Sequence, residues 1–105
     1  MVCPIPKAMR VKMANNPFYW KCCITGSKLN IQWHHNLIFG GKRVNEIFAI
    51  LPVTAEVHRH EAVHKDELNR IMLNRATDEE LERYSRAIDY KKLRDRLNEA
   101  HNSKR

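Results

Sequence analysis

The stretch QWHHNLIFGGKRVNE, residues 32–46, sets two histidines side by side at the end of an alternating run and follows them with a loop of two glycines and two cations. Leu29, Ile31 and Trp33 alternate with Asn30, Gln32 and His34, the period of a β-strand. On a strand, neighbouring side chains look to opposite sides, so His34 and His35 cannot share one packing role. A buried strand would rather carry Val or Ile at both positions. Either both imidazoles sit at a surface or the two have different tasks.

Working outward, VNEIFAILPV (44–53) is a second apolar run of strand length, which Pro52 is expected to stop. Residues 29–36 and 44–52 should therefore pair as an antiparallel hairpin. Thr54 is placed to cap a helix with Glu56 in its first turn. Val57, His64, Leu68 and Ile71 lie at helical spacing and predict a helix to about Asn74. Thr77-Asp-Glu-Glu80 has the form of a capping box and opens a long helix marked by Leu81, Tyr84, Ile88, Leu93 and Leu97. Upstream, PIPKAMRVKMANNPFYW holds three prolines and reads as an irregular basic arm that ends by packing Phe18, Tyr19 and Trp20 on the core. CCITGSKLN reads as a tight turn built on Gly26. The expected class is α+β in one domain over 1–105: an arm at 1–20, a core at 21–75 and a C-terminal helix at 77–100.

With 43% hydrophobic and 30% charged residues, the 105-residue chain can bury one small core. No apolar run is long enough to span a membrane. The N-terminus carries no apolar leader stretch, so a cytoplasmic protein is expected, as a monomer or homodimer. A net charge of +7 favours a polyanionic partner, most often nucleic acid. Three cysteines, two of them adjacent, argue for reduced thiols rather than a disulfide framework. The cation-rich end, YKKLRDRLNEAHNSKR, is most simply a solvated helix face. Its Lys91, Lys92 and Arg94, with Lys42 and Arg43 of the loop, are the candidate phosphate contacts.

Five of the six histidines (His34, His35, His58, His60 and His64) fall within 31 consecutive residues. Such crowding beside a basic loop points to a metal or acid/base site. One strand histidine can bind a metal while its neighbour accepts a proton, and a helix docked on the hairpin can supply the next ligand. On a helix advancing about 100° per residue, His58 shares a face with Glu61 rather than with His60 or His64. Glu61 is one candidate third ligand. A His60/His64 pair at i, i+4 is the alternative, with His64 equally placed for the apolar stripe.

These residues carry a resemblance. Cys22-x-x-x-Gly26, then WHHNLIFGGKRVNE, then ILPVTAEVH is similar to the HNH endonuclease family, and most of all to its small bacteriophage and prophage members. The likeness covers roughly residues 21–64. It implies a ββα-metal finger in which His34 and His58 hold a divalent metal, His35 is the general base and Asn45 is the central asparagine. The implied metal is Mg²⁺ or Mn²⁺, with Zn²⁺ or Ni²⁺ as alternatives. The implied reaction is hydrolysis of DNA, or RNA, to 3′-hydroxyl and 5′-phosphate ends. The chain departs from the family at the four positions of a common zinc knuckle, which fall on Cys22, Thr25, Thr54 and Val57. Only Cys22 offers a thiolate, so no structural zinc is expected and apolar packing from Trp20, Trp33 and Phe48 must replace it. A catalytically inactive nucleic-acid-binding or recombination accessory protein on the same fold is the alternative function.

Overall fold

A computed structural model describes residues 5–103; the first four residues of the basic arm, including Cys3, and the last two residues lie outside that range. Among the described residues the fold is α+β, with five α-helices and two small antiparallel sheets. Strand β1 (Ile31–His35) pairs with β4 (Ile50–Thr54), in a register that sets His34 opposite Leu51 and His35 opposite Ile50. Between them, β2 (Ile38–Phe39) and β3 (Lys42–Arg43) form a second pair. Their turn is Gly40-Gly41 with φ of 59° and 80°, the two positive angles that a tight hairpin turn asks of its central residues.

Three expectations are corrected here. The arm is not irregular: Pro6 leads into α1 (Lys7–Ala14), and Pro17–Trp20 forms a 3₁₀ turn in which the Asn16 side chain accepts the Phe18 N–H. Met9 and Met13, one helical turn apart, face inward and give α1 a surface to bury. Trp20, by contrast, lies on the surface, its indole N–H donating to the Ala14 carbonyl at 2.8 Å.

The second strand also starts later than its apolar pattern suggests. Ile47–Ala49 is a 3₁₀ turn, and β4 then runs through Pro52 rather than ending there. Pro52 directs its carbonyl to the Cys23 N–H, away from β1, so its missing N–H costs the β1/β4 ladder nothing.

Neither long helix is continuous. The Thr54 hydroxyl caps α2 (Ala55–Arg59) by accepting the Val57 N–H, but α2 ends at once and α3 begins only at Lys65 (Lys65–Arg75). Neither Gly nor Pro lies in residues 60–64 to announce this break. The Thr77–Glu80 capping box forms and opens α4 (Asp78–Tyr84). A second cap at Asp89, whose side chain accepts the N–H groups of Lys91 and Lys92, opens α5 (Tyr90–Ser103).

Strand β4 is the spine of the core. Leu51 and Val53 enter one apolar cluster with Phe48, Val57, Leu68 and Leu73, while Ile50 enters another with Ile5, Met13 and Tyr19. Tyr19 ties the second cluster down, its hydroxyl bonding the carbonyls of Ile47 and Ile50 and accepting from Arg75. At its far end β1 is fastened to α3, since Asn36 donates to Asn69 at 2.9 Å. No helix is long and apolar enough to cross a membrane among the described residues.

Candidate metal centre

The break after α2 is what builds the site. It turns Glu61 back over β1, so that Glu61 Oε2 lies 3.4 Å from His34 Nδ1 and 4.0 Å from His58 Nε2. The rings of His34 and His58 are 5.0 Å apart between centroids. One ligand atom from each of the three residues lies within 4.8 Å of the others, and this trio could hold a metal ion. Two donors bound at about 2.1 Å to one ion stand about 3.4 Å apart at the tetrahedral angle, so closure by about an ångström brings the trio onto one ion. Two imidazoles and a carboxylate also make a chemically ordinary donor set for a divalent cation.

A residue not singled out from the sequence prepares one of the ligands. Gln32 Oε1 lies 2.8 Å from His58 Nδ1. An amide oxygen only accepts, so Nδ1 must carry the proton and Nε2 presents its lone pair toward Glu61. The signal was legible after the fact: Gln32 and His34 are two residues apart on β1 and so share a face.

Burial holds His34 below the usual imidazole range; the Glu61 carboxylate opposes this, and His58 adds to it. Its neutral, ligand-competent form is thereby favoured. Glu61 and His58 leave about half of their side chains exposed, which keeps one side of the trio open to solvent.

His35, the other member of the pair, is buried, and its Nε2 lies 3.0 Å from Asn45 Oδ1. By the same reasoning Nε2 is the protonated nitrogen and Nδ1 carries the ring's lone pair. His35 and the trio line a common cleft of about 290 Å³, together with Ile38 and Arg43.

His60 and His64 are not brought to this place. His60 is the residue after α2 and His64 the residue before α3, so the helical i, i+4 pair does not exist. Both line a separate, larger cleft of about 730 Å³ beside Thr25, Ser27 and Asn30. Lys42 and Arg43 are exposed on β3. Lys91 and Arg94 are ion-paired with Glu82, Asp78 and Asp95; neither they nor Lys92 line the histidine cleft.

Cys22, Thr25, Thr54 and Val57 do meet, but through hydrogen bonds. The Cys22 sulfur accepts from the N–H groups of Ile24 and Thr25, while the Thr54 hydroxyl is spent on the α2 cap and Val57 is buried in the core. Burial pushes the Cys22 thiol up, but hydrogen bonds from Thr25, Ile24 and Thr54 outweigh it and hold the thiol below its usual range. Burial, and then the neighbouring Cys22, push Cys23 up to about 12. Comparison with known proteins finds no matching family model, no matching curated protein and no matching solved structure.

Proposed function

We propose that this chain is a metal-dependent endonuclease of the HNH type, hydrolysing phosphodiester bonds of DNA in the cleft between β1 and α2. The observation that carries this reading is the pairing of two differently prepared histidines in one cleft. His34 belongs to a solvent-open trio with His58 and Glu61, while His35 is locked by Asn45 with its Nδ1 free of the ring proton. The strand–strand–helix order β1, β4, α2 supports this reading, since a ββα-metal finger uses the same order.

His34, His58 and Glu61 would hold the ion, Gln32 fixing the proton on His58 Nδ1. A divalent ion held there would supply positive charge to stabilise the charge that develops on the phosphate during hydrolysis. His35 Nδ1 takes the proton of the attacking water, and Asn45 keeps the ring turned so that this nitrogen, not Nε2, receives it. Arg43, on the rim of the same cleft, offers a cation to a neighbouring phosphate. A wholly structural metal would be closed in by four protein ligands, whereas three ligands and an open side fit a site that admits substrate.

The test is nicking of supercoiled plasmid with Mg²⁺, Mn²⁺, Ni²⁺ or Zn²⁺, using the chain and its His35→Ala variant. Metal-dependent nicking that the variant loses supports the reading. Metal binding without nicking under any of the four ions would make the chain a binding module instead.

A further inference from the structure

The whole net charge of the chain resides in its first 45 residues. They hold seven Lys and Arg and no Asp or Glu, whereas residues 46–105 hold twelve of each sign. All seven (Lys7, Arg10, Lys12, Lys21, Lys28, Lys42 and Arg43) are exposed, and among the described residues none is in an ion pair. Lys42 and Arg43 belong to the hairpin beside the histidine cleft; the first four belong to α1 and its surroundings.

On α1, Lys7, Arg10, Val11 and Ala14 follow helical spacing along one stripe, and every one of them is exposed. The stripe ends at Trp20. Its indole N–H is held by the Ala14 carbonyl, which pins one edge of the ring, and 57% of the residue's surface remains open to water. The opposite face of α1 is already used, since Met13 is fully buried and Met9 packs beside it in the second core cluster. A cationic helix whose apolar face is spent on its own core has nothing to sink into a bilayer. What it presents is a pair of cations, Lys7 and Arg10, about one helical turn apart near the start of a stripe that ends at an aromatic.

From this we infer that α1 and Trp20 form a binding surface for an unpaired stretch of nucleic acid, with Lys7 and Arg10 on its phosphates and one base stacked on the Trp20 indole. The chemistry matches: base stacking on an aromatic needs an exposed ring, and a pair of cations on the backbone needs no sequence readout. A paired duplex hides its base faces, so the surface favours single strands, loops or flaps. This surface is separate from the metal cleft and goes beyond the reading of that cleft as a nuclease.

The test is therefore run in EDTA, where cleavage plays no part. Anisotropy of a labelled 12-nucleotide oligo(dT) and of a blunt-ended, fully paired duplex is measured for the chain and for Trp20→Phe, Trp20→Leu and Lys7→Gln/Arg10→Gln. Trp20→Phe should keep most of the affinity for the single strand, and Trp20→Leu should lose about 5- to 100-fold, with little change on the duplex. The double cation variant should lower the single-strand salt slope by about 1.4. Because Trp20→Leu also removes the bond to Ala14, photocrosslinking of the unaltered chain to a 5-iodouracil oligonucleotide gives a second readout, with the adduct expected on Trp20. Equal affinity of the Phe and Leu variants, an adduct elsewhere, or preferential binding to phosphatidylserine vesicles would each overturn the inference. Equal single-strand affinity of the Phe and Leu variants beside intact plasmid nicking would leave the nuclease reading standing while the binding surface fails.

Discussion

The acid-free first 45 residues and the charge-balanced remainder of the chain solve different problems. In the remainder, four cations have acidic partners: Arg70 pairs with Glu67, Arg83 with Glu46, Lys91 with Glu82, and Arg94 with Asp78 and Asp95. Such surface pairs add little stability. The helices are held instead by burial of Leu68, Met72, Leu73 and Leu81 in one cluster. Among the described residues the cations of the first 45 have no such partners, and the two histidines stand at the end of β1 in the same segment. A net charge of +7 thus does not describe a uniformly basic protein. It describes a basic stretch, the first 45 residues, joined to a charge-balanced remainder, and the excess that attracts a polyanion lies in the former.

The largest expected effect is on the histidine pair. His35→Ala should lower the nicking rate by about 10²–10⁴ with metal affinity nearly unchanged, because it removes the proton acceptor and no ligand. His34→Ala and His58→Ala should instead weaken metal binding and recover part of their activity when metal is added. Titration calorimetry alongside plasmid nicking separates the two behaviours; loss of metal binding in His35→Ala would mean the roles within the pair are reversed. His60→Ala, which belongs to the other cleft, should leave both measurements alone.

Next in size is the residue behind the ligand. Gln32→Ala frees His58 to carry its proton on either nitrogen and should reduce metal affinity by about 10- to 100-fold. Calorimetry showing an unchanged affinity would place Gln32 outside the centre.

The charge comparison itself can be broken by paired substitutions. Lys42→Gln/Arg43→Gln should lower the salt slope of duplex binding by about 0.9 for each phosphate that is no longer neutralised. Lys91→Gln/Arg94→Gln removes the same formal charge from the remainder, where both cations already have acidic partners, and should barely move the slope. Equal slopes for the two double variants would show that α5 shares in binding.

The smallest effect concerns pH. Burial keeps His34 below the ordinary imidazole value of about 6.5, so the unfolded chain takes up its proton first as the solution is acidified. The contribution is fully present above that value and is lost as pH falls toward the lower folded one. In EDTA, the urea midpoint should therefore drop further between pH 7.5 and 5.5 for the chain than for His34→Gln. An equal drop would move the acid sensitivity to another group.

Much of the local structure was legible because its causes are local. The Thr54 cap and the Thr77–Glu80 capping box are each written within four residues, and each forms. The strand limits were harder, since from Phe48 to Val53 every residue is buried and the run carries no alternation from which to separate a 3₁₀ turn from a strand. The prolines misled in both directions. Pro6 and Pro17 begin helical turns, where the missing N–H is harmless, and Pro52 sits mid-strand with its polar edge turned to Cys23.

What the sequence determined by itself was the inventory and its order: adjacent histidines closing a strand, a helix cap about twenty residues later, and all the net charge in the first 45 residues. These need no folding to be true. Which groups meet was decided by tertiary structure alone. Glu61 reaches His34 because the chain leaves helix after Arg59, with neither Gly nor Pro to announce it, and Gln32 finds His58 across 26 positions. Lys91 and Arg94, cations in any reading of the sequence, are engaged because α4 and α5 pack together. A backbone cap is an interaction between near neighbours and survives in any context. A ligand set or an ion pair across elements exists only after burial of residues such as Val57, Leu68 and Leu81 has set the elements side by side.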